Sequence, residues 1–266
     1  MKGGIVIDNH VHCPEKWASQ IETKEVEKGK LNPVRTVEDL YALTREVGID
    51  KVCLFAPFND WVRGNRHLKA VAEKFPDWAI PIGVVNPRWG RLAIEEVRRF
   101  SEWGFKGLKL IPYAHSYPAD CYSVQKVMRE AIKLDLPIHF HTSDHIVDKY
   151  YRHTVTFTTY ERYENLARMF PDAKIIMAHM CVSEWMNAVD LAEKYENIIL
   201  DTSGSTIVYG MLEISVDRIA AERLFYGSDA PLYHPLIALS KVKDSDLSER
   251  DKRLILGENA AKLYGV

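Results

Sequence analysis

The run "IDNHVH", Ile7 to His12, ends an apolar stretch with two histidines one residue apart. In an extended strand residues i and i+2 point to the same side, so His10 and His12 present their imidazoles together. Two neutral imidazoles so held make half of a zinc-type site. Each could equally be a polar residue satisfied at a strand end. The spacing recurs in "LPIHFHTS", with His139 and His141, while "KIIMAHM" carries His179 and "YGSDAP" carries Asp229. Five of the 10 histidines therefore close apolar runs, which favours a shared metal over isolated satisfied residues. A divalent ion with an open position lowers the pKa of bound water to about 7 and so supplies a nucleophile at neutral pH.

Such residues need elements that bring their ends to one place. Eight short runs punctuate the chain: GIVIDNHVH, KVCLFAP, AIPIGVV, FKGLKLIP, LPIHFHTS, KIIMAHM, NIILDTS and RLFYGSDAP. Their continuous apolar stretches suit strands buried on both faces of a parallel sheet. Amphipathic segments alternate with them. Thr36 to Asp39 reads as a capping box opening DLYALTREVG, with Gly48 as its stop, and Leu92 to Phe100 has helical spacing ending at Gly104. Asp120 is placed to cap CYSVQKVMREAIKLD. "FPDWAIPI" and "FPDAKIIM" echo one another, each closing a helix before a strand. Eight β-then-α units predict a single-domain (β/α)8 TIM barrel over residues 1–266, with a doubly wound sheet as the other arrangement. No glycine-rich phosphate loop follows the first strand, as a dinucleotide fold requires. A segment from Cys13 to Arg35, holding Trp17 and "ETKEVEKGK", reads as an insertion after the first strand on the catalytic face.

Bulk properties narrow the partners. Thirty-five basic residues nearly balance 37 acidic ones, for a net charge of -2, which gives no electrostatic case for nucleic acid. No run approaches the roughly 20 apolar residues of a membrane span, and the start of the chain does not read as a secretory signal. Four dispersed cysteines, without a CxxC pair, suit reduced thiols in the cytoplasm.

The motifs together resemble the amidohydrolase superfamily, in the amidohydrolase-related branch that includes the carboxymuconate-semialdehyde-type decarboxylases. The resemblance spans the chain through IDNHVH, GFKGLKL, LPIHFHTS, KIIMAHM, YGSDAP and the closing ILGENAAKLYG. It implies metal ligands at His10, His12, His141 and Asp229, with Asp229 also moving protons. His179 is a further ligand or an acid/base and substrate-orienting group. His139 lies outside the pattern, one layer deeper. Where the family usually has glycine, this chain has Cys181, which bears on the shape of the loop after the sixth strand.

One divalent ion, with zinc as the first expectation, is implied by the branch; a second ion bridged by carboxylated Lys109 is the other arrangement. A metal-dependent hydrolase of a C–N or C–O bond in a small molecule is the leading function, and non-oxidative decarboxylation of a small aromatic or unsaturated acid is the alternative. The related TatD-type nucleases carry a glutamate where this chain has GLKL. A homodimer is the default assembly. Trp61, Arg63, Tyr113, His115, His145, Trp185, Tyr233 and His234 fall in the loops around the expected mouth, each as packing or as a substrate contact.

Overall fold

The computed structural model describes residues 4–14, 34–57, 59–142, 158–204 and 207–266. Most of the segment expected as an insertion, with Trp17, and His145 lie outside them. Eight strands are present: β1 (Ile7–His12), β2 (Lys51–Phe55), β3 (Ala79–Val84), β4 (Gly107–Leu110), β5 (Ile138–His141), β6 (Ile175–Ala178), β7 (Ile198–Asp201) and β8 (Leu224–Phe225). They pair in sequence order and all in parallel. Beyond β8 the chain returns to β1: the Asn9 amide donates to the Tyr226 carbonyl (2.8 Å), and the His12 amide to the Ala230 carbonyl (2.7 Å). The expected (β/α)8 barrel is thereby formed.

Local sequence accounts for how the helices dock. Thr36 caps the helix Val37–Glu46 in the anticipated capping box, and Gly48 follows at φ +84°. The two Phe-Pro-Asp segments end their helices alike, with Phe75 at φ −126°, ψ 57° and Phe170 at φ −130°, ψ 68°. In each, the phenylalanine carbonyl accepts the amide of a residue entering the next strand, Ala79 or Ala173.

Asp120 differs from expectation. Cys121 takes the cap position of the helix Tyr122–Lys133, without a side-chain cap, and the Asp120 carboxylate instead accepts from Arg162 (2.6 Å) and Asn165 (2.9 Å). The guanidinium of Arg162, from the helix Tyr160–Met169, offers that carboxylate a cationic donor, which outweighs a neutral backbone amide.

The closing motif has a mechanical reading. Asn259 donates to the Ala221 and Leu224 carbonyls (2.7 and 2.9 Å), fastening the start of β8. Gly257 passes so near β1 that a Cβ there would stand 2.1 Å from the Ile5 carbonyl oxygen. Among the described residues no helix is long and apolar enough to cross a membrane.

Candidate metal centre

The C-terminal ends of β1, β5, β6 and β7, with the segment after β8, converge on one polar cluster. On β1 the pairing with β2 steps from Asp8↔Val52 to Val11↔Leu54, three residues against two. This bulge bends the strand and re-aims its side chains. As a result the His10 and His12 rings stand 5.3 Å apart, and both reach one carboxyl oxygen: Asp229 Oδ1 is 3.0 Å from His12 Nε2 and 3.5 Å from His10 Nε2. His10 is fully buried, whereas the His12 side chain keeps 31% of its exposure and faces the mouth.

Asp229 is placed by backbone as much as by side chain. Its φ is +67°, in the left-handed region, and its amide donates to the His10 carbonyl (2.8 Å). Buried Asp8 accepts from the Ser228 amide (2.9 Å) and the His10 amide (3.1 Å), tying β1 to the loop that carries Asp229. Burial pushes the Asp8 carboxyl up to about 7. For Asp229 burial acts in the same upward sense, but the His12 hydrogen bond and the facing imidazole and Lys109 side chains outweigh that and hold it below the usual carboxylate range.

Strand β6 ends in a left-handed turn. His179, Met180, Cys181 and Val182 have φ values of 64°, 47°, 58° and 51°. The position where the family usually has glycine is thus one that glycine would occupy without strain, and Cys181 occupies it at a cost of about 1–2 kcal/mol. Thr142, just past β5, braces the turn: its hydroxyl donates to the Ala178 carbonyl and accepts from the Cys181 amide (3.0 Å). His179 then meets His141, with Nε2 3.2 Å from His141 Nδ1, and its ring lies 4.6 Å from that of His10. Burial lowers the His179 imidazole to about 4, leaving it neutral.

Lys109 on β4 is fully buried, 3.5 Å from His10 Nε2 and 4.5 Å over the Phe55 ring. Burial lowers its ammonium group, against the pull of Asp201 and Asp229. His139 points deeper, to Tyr264 Oη at 2.8 Å, and burial holds it well below the usual imidazole range.

His10, His12 and Asp229 offer one ligand atom each, all within 4.8 Å of one another. Around an ion with bonds of about 2.1 Å, neighbouring ligand atoms stand roughly 3.0–3.4 Å apart. The two separations from Asp229, 3.0 and 3.5 Å, lie at or close to that spacing and all three atoms fall within 4.8 Å of one another, so the donor set suits a divalent cation. His141 stands outside this triad and joins the cluster through His179.

Tyr113 reaches the site, its ring 4.4 Å from that of His141. Trp61 packs edge-on to Trp89, Trp185 is buried at the start of its helix, and His234 caps the helix Pro235–Lys243. Arg63 and Tyr233 are exposed, and His115 lies in the short helix Pro112–His115.

Two site residues escaped the sequence reading. Asp201, the last residue of β7, accepts from His10 Nδ1 at 2.8 Å, and Ser203 Oγ lies 3.0 Å from His10 Nδ1 and 2.9 Å from His179 Nδ1. Their signal was present in NIILDTS, an apolar run ending in two polar residues at i, i+2 spacing. Gly227 keeps their space open, since a Cβ there would stand 2.5 Å from Asp201 Oδ1 and 2.8 Å from His10 Cβ.

Residues 7–266 match the family model described as amidohydrolase. The chain belongs to the amidohydrolase family. Within known structures, this amidohydrolase is similar to an uncharacterised TIM-barrel protein of Bordetella bronchiseptica, at 15% identity and TM-score 0.80, with 98% of each chain covered. It is also similar to 2,6-dihydroxybenzoate decarboxylase from Rhizobium, at 19% identity and TM-score 0.76, over 100% of this chain and 99% of that one. A third similar structure is 5-carboxyvanillate decarboxylase from Novosphingobium aromaticivorans, solved with manganese and 4-hydroxy-3-methoxy-5-nitrobenzoic acid, at 17% identity and TM-score 0.72, over 99% and 97% of the two chains. No curated protein matches the sequence.

Proposed function

We propose that this amidohydrolase is a metal-dependent, non-oxidative decarboxylase of a small hydroxylated aromatic acid. The observation that carries the reading is an aromatic ring at the cluster: Tyr113 stands 4.4 Å from the His141 ring, beside the group in which Asp229 meets His10 and His12. One carboxylate can serve hydrolysis, taking the proton of water and handing the same proton to the leaving group. It can equally serve decarboxylation, which needs one proton handed to carbon. The aromatic acids named for the Rhizobium and Novosphingobium structures support this choice over the hydrolase expected first.

His10, His12 and Asp229 would hold the ion, with His141 as the fourth side chain. When bound, a divalent cation supplies a fixed positive centre for the oxygens of the acid. Zinc follows from an imidazole-rich donor set, and manganese is the ion in the Novosphingobium structure. One ion per chain is the stoichiometry, since Lys109 needs carboxylation to bridge two.

Buried Lys109 adds positive charge beneath the substrate. Tyr113 offers a ring face to the aromatic acid, and neutral His179 orients one of its oxygens. Asp229 takes a proton from solvent and delivers it to the ring carbon. A C–H bond forms there, the C–C bond breaks, and the carboxylate leaves as carbon dioxide.

The test uses protein supplied separately with zinc and manganese, given 2,6-dihydroxybenzoate, 5-carboxyvanillate, and a panel of lactones and amides. Carbon dioxide release from an aromatic acid is the expected result. Acid release from a lactone or amide, without carbon dioxide from any acid, would overturn the reading in favour of hydrolysis.

A further inference from the structure

The chain that brings Asp201 and Asp229 to the cluster leaves the barrel from β7 and β8, which lie side by side. The outer surface of these two loops is unlike the rest of the protein. The chain is 27% charged, yet residues 203–212 and 230–240 contain no aspartate, glutamate, lysine or arginine. A stretch without charge is ordinary where it is buried. Here Ile207, Leu232, Leu236 and Ile237 are each about half exposed or more, Tyr233 is exposed, and Tyr209 is wholly so.

The helix Pro235–Lys243 shows the mismatch most plainly. Ala238, Leu239 and Val242 are buried in the core, as an amphipathic helix requires, while Leu236 and Ile237 in its first turn are exposed. Its two lysines come only in the last turn. A helix end that is apolar on every side belongs in an interior. The helix Met211–Ile219 repeats the pattern, with Met211 and Leu212 buried and Ile214 exposed. Bonds fasten these segments together: the Asp246 amide donates to Glu213 (2.7 Å), and Lys241 Nζ donates to the Thr202 carbonyl (2.7 Å). Their exposed residues therefore hold one surface.

Size decides what covers it. At roughly 200 Å² for a fully exposed residue of this kind, the six residues present about 700 Å². The largest apolar patch of a typical monomer is about 300–600 Å², and each side of a standard protein–protein interface contributes about 800 Å². We infer that this face is a two-fold contact between two copies of this chain, with Tyr209 as its aromatic anchor. A two-fold contact buries the same patch on both copies, about 1,400 Å² in all, which is within the range of specific interfaces. Lack of charge suits the pairing, because a patch that meets its own copy would otherwise set like charges together. An anionic membrane would instead ask for basic residues among the apolar ones, and the two stretches have none. Since the same loops carry Asp201 and Asp229 on their inner side, the second copy stands at the rim of the mouth.

The test needs no substrate and stands apart from the proposed reaction. Light scattering on the full chain, from about 1 to 100 μM, spans the weak end of the affinities that interfaces of this size reach. The expected mass at the upper end is twice the 30.6 kDa of one chain. Tyr209→Glu combined with Leu236→Glu should return the mass to that of one chain with an unchanged circular dichroism spectrum, since two like charges then face their copies. Tyr122→Glu, at an exposed tyrosine of the helix Tyr122–Lys133, should leave the dimer intact. A wild-type monomer at about 100 μM overturns the inference, as does a dimer that survives the double substitution.

If the double variant does not fold, Ile237→Lys alone decides. A dissociation constant raised by at least about 10-fold supports the contact, and an unchanged one overturns it. Other occupants give other outcomes. A monomer that sediments with phosphatidylcholine vesicles would make the patch a lipid-binding surface, and a monomer whose patch amides resist hydrogen exchange would show it covered by its own chain; either overturns the inference.

Discussion

His10 and His12 on β1, and His139 and His141 on β5, share a spacing, an apolar approach and a place at a strand end. Their surroundings diverge. Both β1 imidazoles reach the same Asp229 oxygen, while on β5 His141 meets His179 and His139 lies beneath, bonded to Tyr264. The strands explain the contrast. Pairing of β5 with β4 and β6 is regular from Ile138 onward, so its two histidines fall in successive layers of the barrel. Strand β1 carries the slip between Asp8 and Val11, which brings two layers to one oxygen. A histidine-x-histidine spacing identifies a face, and the strand's register decides how many of its members reach the mouth.

That contrast is open to direct attack. The largest effect is expected on β1: His10→Ala should lower bound metal below about a tenth of an equivalent and turnover by at least roughly 10³-fold. Elemental analysis showing full metal in this variant would remove β1 from the centre. On β5, His141→Ala should weaken metal binding by about 10–100-fold, as read from titration with a chelator of known affinity.

His139→Phe should behave unlike either. Metal stays bound, and stability in urea falls by about 1–3 kcal/mol because Tyr264 and the pocket around it lose a partner. Metal loss comparable to that of His10→Ala would erase the distinction between the two strands. The smallest change is expected for Tyr264→Phe, about 0.5–1.5 kcal/mol in the same measurement, with turnover unaltered.

Much of this was legible in the residues. All eight strands follow from their apolar runs, because a strand buried on both faces has little choice of composition. His10, His12, His179 and Asp229 lie where the strand-end pattern put them. What the sequence concealed was relational. Asp120 sits before a helix as a cap would, yet an arginine and an asparagine from another helix claim its carboxylate. Asp201 and Ser203 look like any turn at the end of a strand until β7 is seen beside β1 and β6. The β1 slip leaves no compositional mark, since it depends on how two strands pair. Cys181 was visible as a departure from the family. Its meaning came from the left-handed backbone beneath it and from the Thr142 hydroxyl that braces the turn.

The Tyr264 hydroxyl, which accepts from His139, donates in turn to Asn9 Oδ1 at 2.8 Å, between residues 255 apart in sequence. That bond bears on the order in which the molecule assembles. Contacts of such separation form late, after the intervening chain has given up its freedom. The strand bearing His10 is synthesised well before the helix bearing Tyr264, and its neighbour Asn9 receives this partner only after that helix docks. On the proposed metal reading, a nascent chain would carry these imidazoles long before it could hold an ion between them, and metal uptake would report completion of the barrel.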